Sequence, residues 1–228
     1  MKTVKPECAK CGIKIKERIC RSPEGKGPNF CPTLHRKGMI EKANEESRKP
    51  DVLKFAHEAS VQEAECYINR DVKPYVLHPV KPRVQEVCEF AQKMAYRKLG
   101  VAFCSGLREE ALSLAQILEA QGFEVVSVIC KAGGTPKEHL GIKEEEKIHS
   151  GEFEPMCSPI AQAMILNEEK TDFNILLGLC VGHDSLFLKY SKAYSTVLAA
   201  KDRVLGHNPC AALYTTSSYY ARMLRKGF

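Results

Sequence analysis

Thr171–Asp184 reads TDFNILLGLCVGHD. An apolar run stops abruptly at Cys180, and Gly182, His183 and Asp184 follow. A short continuous apolar run of this kind is the pattern of a strand buried on both faces, as in a parallel sheet. Open α/β sheets take their ligands beyond the carboxyl ends of such strands. Two upstream stretches repeat the design. Gly100–Leu107, GVAFCSGL, runs into Cys104, and Phe123–Gly134, FEVVSVICKAGG, runs into Cys130.

Working outward, strands are expected at 101–104, 123–130, 173–180 and 195–200. Leu107–Gly122 is a helix by its apolar spacing, with Ala111, Leu114, Ala115 and Leu118 on one side. Strand, helix, strand in that order implies a crossover and a parallel pair. A further amphipathic helix starts at Val84 and closes near Leu99 and Gly100, and another runs from about Cys210 to Arg225. The fold class is therefore α/β: a Rossmann-like parallel sheet of about four or five strands flanked by helices, preceded by a cysteine-rich metal module.

If the strands are parallel, Cys104, Cys130 and Cys180 share one edge. Cys157 joins them, because Ser158 and Pro159 are good N-cap and N1 residues for a helix ending near Glu169. Residues 131–156 form a long excursion between Cys130 and Cys157, and a loop of that length usually serves function. Within it, Lys143–Lys147 reads as a solvated helical turn. Thiolates arriving from separate strand ends suit an iron–sulfur cluster, so Cys104, Cys130, Cys157 and Cys180 are the cofactor-binding candidates. Core packing of single cysteines is the competing reading for each. His183 and Asp184 suit proton transfer beside a bound substrate, and Lys201 could hold an anionic one. A nucleophilic cysteine with His183 and Asp184 is a further reading. Neither Ala132–Gly133–Gly134 nor Gly178 matches a dinucleotide fingerprint.

Eleven cysteines is a high count for 228 residues, and an odd number fits a full disulfide framework poorly. The N-terminus carries no apolar signal region, so a reducing, cytoplasmic setting and metal ligation are expected. Cys8 and Cys11 form a C-x-x-C knuckle, with Cys20 and Cys31 following. Four thiolates suffice for zinc or for a four-iron cluster. The organisation expected is a metal module over residues 1–36, a helical and proline-rich connection over 37–82, and an α/β domain over 83–228.

Hydrophobic residues make up 44% of the chain, enough for a core, and no apolar stretch is long enough to span a bilayer. A net charge of +6 is mild, and it argues against nucleic acid as the main partner. Lys10, Lys14, Lys16, Arg18 and Arg21 crowd the first cysteines; they suit an anionic thiolate centre and leave nucleic-acid binding as a third reading. A small-molecule substrate or a redox partner protein is expected, with oligomerisation open.

The blocks CAKCG, FCPT, AFCSGL, SVICKAGG, CSPIAQAMILN, GLCVGHDSLF and KDRVLGHNP together resemble the family known as domain of unknown function 1847. Its members are described as metal-binding proteins, mostly of anaerobic bacteria and archaea. The resemblance implies metal binding through Cys8, Cys11, Cys20 and Cys31, and implies no particular reaction. Two function classes follow. One is an iron–sulfur protein with one or two [4Fe-4S] clusters, acting as an oxidoreductase or lyase. The other is a non-catalytic structural-zinc protein whose α/β domain binds a ligand or partner.

Overall fold

The computed structural model describes residues 4–227. The chain divides into two compact units, residues 1–61 and 62–228. In the first, a 3-10 turn spans Cys8–Lys10 and another Ile15–Glu17. The Arg18 guanidinium ties this segment together, donating to the carbonyls of Ile13 (2.7 Å) and Cys11 (3.1 Å). A short bridge pairs Arg18 with Lys26. Gly25 is required there, because a Cβ would stand 2.3 Å from the Arg18 carbonyl carbon. Helices α1 (Pro32–His35), α2 (Lys37–Glu46) and α3 (Pro50–Glu65) follow. Among the described residues of this unit, Cys31 alone is buried.

Beyond the end of α3, the second unit carries α4 (Arg83–Lys93), β1 (Lys98–Phe103), α5 (Arg108–Ala120), β2 (Glu124–Ile129), α6 (Pro159–Glu168), β3 (Phe173–Leu179), α7 (His183–Tyr190) and β4 (Tyr194–Ala200). The four strands form one sheet in the order β2–β1–β3–β4, and every pairing is parallel. This is the α/β fold expected, with the sheet flanked by helices. β3 is buried at every position, which is why its sequence, Asn174 apart, is apolar without alternation. The buried cluster on the face covered by α6 and α7 joins Ala102, Val128, Leu176 and Leu179 to Ala163, Leu166 and Phe187. The chain goes from β1 to β2 on one side, then returns to place β3 on the other side of β1. The carboxyl ends of β1 and β3 therefore flank the switch point where such sheets open a crevice.

Two expectations are corrected. α4 stops at Lys93, not near Leu99. Ala95 turns left-handed at φ 58°, and Lys98–Gly100 join β1 because the sheet claims their backbone. They pair with Glu124–Val126, and the Asp172 carboxylate accepts from the N–H groups of Arg97 (2.7 Å) and Lys98 (2.9 Å). The last helix is short, α8 (Cys210–Tyr214), with a separate 3-10 turn at Ala221–Leu224. Hydroxyls end it: Thr215 Oγ1 donates to the Ala211 carbonyl (3.0 Å) and Thr216 Oγ1 to that of Leu213 (3.1 Å), competing with helix continuation. The run Lys143–Lys147 holds the solvated turn expected, a 3-10 helix at Glu144–Glu146 with exposed residues, closed by Lys147. The Lys147 side chain is 3% exposed and is held by the carboxylates of Glu138 and Glu144. Among the described residues no helix is long and apolar enough to cross a membrane.

Candidate functional site

Strand register brings the first two thiols together. Ala102 pairs with Val128, and Phe103 with Ile129. One step on, the Cys130 N–H donates to the Phe103 carbonyl (2.9 Å) and the Cys104 N–H to that of Leu177 (3.1 Å). Side chains alternate along a strand, so Cys104 continues the face of Ala102, and Cys130 that of Val128. Both pack with the cluster under α6 and α7. Gly178 breaks the same parity in β3. Its φ is +66°, the register shifts on either side of Leu177, and Leu176 and Leu179, three apart rather than two, face the same cluster. A Cβ on Gly178 would lie 2.0 Å from Leu107 Cδ1. The bulge thus re-aims the segment that delivers Cys180.

Residues 131–156 bring Cys157 back to Cys130. Pro136 pairs antiparallel with Pro155. The Lys137 N–H donates to the Glu154 carbonyl (3.0 Å), the Met156 N–H to that of Thr135 (2.8 Å) and the Ser158 N–H to that of Cys130 (2.7 Å). The nearly buried Glu154 carboxylate accepts from the Ile148 N–H (2.9 Å) and pairs with Lys137 (2.6 Å). Lys131 donates to the Pro155 carbonyl (2.5 Å). With both ends stitched, the Sγ atoms of Cys130 and Cys157 stand 3.8 Å apart.

The sulfurs are supplied with donors. The Ser105 N–H donates to Cys130 Sγ (3.3 Å), and Arg203 Nη2 to Cys180 Sγ (3.2 Å). Cys104 is pushed up to about 12 by its hydrogen bond to Cys130 and by burial, against help from the Gly106 N–H and Lys201. Cys157 is brought down to about 6, first by the hydrogen bond from Cys130 and then by Lys131, with burial and Cys180 opposing. Within this thiol row Cys104 therefore keeps its proton, and the negative charge falls on Cys157.

His183 and Asp184 open α7 three and four residues after Cys180, whose carbonyl accepts both their N–H groups (3.0 and 3.1 Å). Burial, then Lys131, lowers the His183 ring below its ordinary value, with Asp184 and Cys104 opposing. The shift favours the neutral imidazole, which offers one N–H and one acceptor nitrogen. Asp184 Oδ1 accepts from the Ser185 N–H (2.7 Å) in its own helix turn. Lys201 Nζ lies 3.6 Å from where a Gly178 Cβ would stand and bonds Cys104. His207 is tied to its own turn, its Nδ1 accepting from the Asp202 N–H (3.0 Å).

Two participants escape a reading by motif. Lys131 follows Cys130 directly, and that adjacency was its signal. Gln162 is fully buried in α6. Its Nε2 donates to the carbonyls of Val128 (2.7 Å) and Phe103 (3.2 Å), while Oε1 has no partner. Its signal was one polar residue inside the apolar run PIAQAMIL.

The N-terminal cysteines differ in exposure: Cys8 and Cys20 are exposed, Cys11 is half-buried and Cys31 buried. The turn at Cys8–Lys10 closes with the Cys11 N–H donating to the Cys8 carbonyl (3.1 Å). Among the described residues, no three His, Cys, Asp or Glu side chains gather in the way a single metal ion requires.

Residues 31–198 match the family described as protein of unknown function (DUF1847). The chain belongs to this family. The matched region holds Cys104, Cys130, Cys157, Cys180, His183 and Asp184, whereas Cys8, Cys11, Cys20 and Lys201 lie outside it. An uncharacterised protein of Methanocaldococcus jannaschii is 46% identical over 192 residues, covering 84% of this chain and 91% of its own length. No solved structure matches the chain.

Proposed function

We propose that this DUF1847 member is a thiolate metal-centre protein, with Cys104, Cys130, Cys157 and Cys180 as ligands of an iron–sulfur cluster at the carboxyl edge of the sheet. The observation that carries the reading is the supply of donors and cations to these sulfurs: Ser105 N–H on Cys130, Arg203 on Cys180, Lys201 by Cys104 and Lys131 by Cys157. Hydrogen bonds to sulfur and nearby charge are what stabilise an anionic cluster and set its potential. Thiolates that cap a four-iron cluster stand farther apart than the ligands of one ion, so Cys130 and Cys157 would move apart from 3.8 Å to receive it. When bound, the cluster would supply electron transfer or, with an open iron, Lewis-acid chemistry. The chain's own residues do the rest. His183 offers a neutral imidazole for proton transfer, and Lys201 and Arg203 favour an anionic small substrate. Asp184 orients the start of α7.

Cys8, Cys11, Cys20 and Cys31 are proposed as a second centre. The support is that their unit buries little else, and small units without a core rely on metals or disulfides. A reducing compartment follows from this use of thiols.

One pairwise distance at the strand edge fits zinc, although no third donor gathers with the pair among the described residues. The 3.8 Å separation of Cys130 and Cys157 equals the edge of a tetrahedron with Zn–S near 2.3 Å, about 3.8 Å. The test is iron, acid-labile sulfide and zinc per chain after anaerobic purification. Iron and sulfide in equal amounts, lost on Cys130→Ser or Cys180→Ser, support the cluster. Zinc alone, with no sulfide after anaerobic reconstitution, overturns it and leaves a structural-zinc protein.

A further inference from the structure

Cys130 and Cys157 have a geometry that metal ligation does not exhaust. Their sulfurs stand 3.8 Å apart, and a disulfide needs about 2.05 Å. The gap is under two ångströms, and the two partners differ in freedom to close it. Cys130 ends a strand, is 3% exposed, and is held by its N–H on Phe103 and its carbonyl on Ser158. Cys157 is half-buried and lies outside the sheet, between the braced excursion and the first turn of α6. An external reagent therefore meets Cys157 first, and Cys130 stands behind it. Cys104 is the other neighbour of Cys130, but it hangs from a parallel strand locked in register with β2 and β3.

We propose that Cys157 and Cys130 form a redox-active dithiol, Cys157 attacking and Cys130 resolving, whose substrate class is small-molecule or protein disulfides. In the exchange the Cys157 thiolate attacks one sulfur of an external disulfide. A mixed disulfide forms and one thiolate leaves. Cys130 then attacks the Cys157 sulfur, the intramolecular S–S bond forms, and the second thiolate leaves, taking up the proton Cys130 gives off. Two cysteines are oxidised by two electrons, and one external disulfide is reduced to two thiols. The Ser105 N–H on Cys130 Sγ (3.3 Å) favours the charge that Cys130 bears when it attacks. This exchange draws on two sulfurs that the proposed centre also uses, so the oxidised form and the metal-bound form exclude each other. The dithiol does not depend on the metal being there.

The experiment equilibrates the full-length chain with mixtures of reduced and oxidised glutathione, in two arms, as purified anaerobically and after chelator treatment. Thiols are trapped by alkylation, linked peptides are mapped by mass, and metal release is followed. The expected result in the chelator-treated arm is a Cys130–Cys157 cross-link, two mass units lighter than the dithiol. It appears over a narrow range of glutathione ratios. Cys157→Ser and Cys130→Ser abolish it, Cys130→Ser leaving a stable glutathione adduct on Cys157, while Cys210→Ser leaves it unchanged. Separate alkylation of both residues at every ratio in both arms overturns the proposal, as does a cross-link of Cys157 to Cys104 or Cys180 instead. Metal released in step with the cross-link supports shared sulfurs. A cross-link in protein that never held metal, even after reconstitution, leaves the dithiol standing and removes the metal reading.

Discussion

Cys157 and Cys104 sit in the same thiol row and carry opposite assignments. The thiolate on Cys157 is stabilised by the hydrogen bond from Cys130 and by Lys131, whereas Cys104 spends its proton on Cys130. Alkylation follows the thiolate, so reduced, metal-free protein should take iodoacetamide at Cys157 first. The rate should fall as pH drops through about 6, and Cys104 should stay unmodified at neutral pH; peptide mapping against pH checks both. Lys131→Met should move the Cys157 midpoint upward. Gly178 is the other residue on which the site turns. Its Cβ would sit 2.0 Å from Leu107 Cδ1 at a φ of +66°. Gly178→Ala should cost about 3 kcal/mol or more, from overpacking and left-handed strain together, read as a lowered denaturation midpoint.

Pattern reading recovers the strands because burial writes itself into composition. β3 is buried at every position and, Asn174 apart, carries no polar side chain. It fails where partners distant in sequence claim the backbone. β1 begins at Lys98 because Glu124 and Asp172 bind there, and nothing local announces that. The excursion over 131–156 behaves as a braced element, with Lys147 between Glu138 and Glu144, and Glu154 under Lys137 and Ile148. Hydrogen bonds from Lys147 and Lys137 lower the carboxyls of Glu138, Glu144 and Glu154. A depressed carboxyl lends stability above its ordinary range and loses it as pH falls through the depressed value. The brace should therefore persist at mildly acidic pH and release only below the usual carboxylate range. Lys147→Met should speed proteolytic cutting within 131–156 severalfold at pH 7 while leaving the far-ultraviolet spectrum unchanged. Near α4, burial raises Glu89, but hydrogen bonds from Lys81, Gln62 and Gln85 outweigh it and bring the carboxyl to about 2. Glu89→Gln should flatten the acid limb of the stability curve between the ordinary carboxylate range and pH 2, measured by denaturant melts.

At the scale of the whole molecule, two units carry different kinds of stability. Residues 62–228 hold nearly all the buried apolar side chains, whereas Cys31 is the buried side chain among the described residues before them. A metal at Cys8, Cys11, Cys20 and Cys31 would supply folding free energy to its unit, about 10 kcal/mol for a structural zinc. Cys11→Ser should lower metal content and expose residues 4–61 to protease, while the main cooperative thermal transition keeps its midpoint. One-dimensional pattern was sufficient for the α/β class, the parallel strands and the gathering of Cys104, Cys130 and Cys180 at one edge. Apolar runs and abrupt polar stops are local consequences of burial on both faces. The folded molecule was needed for the rest: the glycine bulge that re-aims Cys180, the stitched excursion that sets Cys157 3.8 Å from Cys130, and the fully buried Gln162 spanning two strand carbonyls. Each of these depends on register and distance between segments far apart in the chain, and composition carries no record of either.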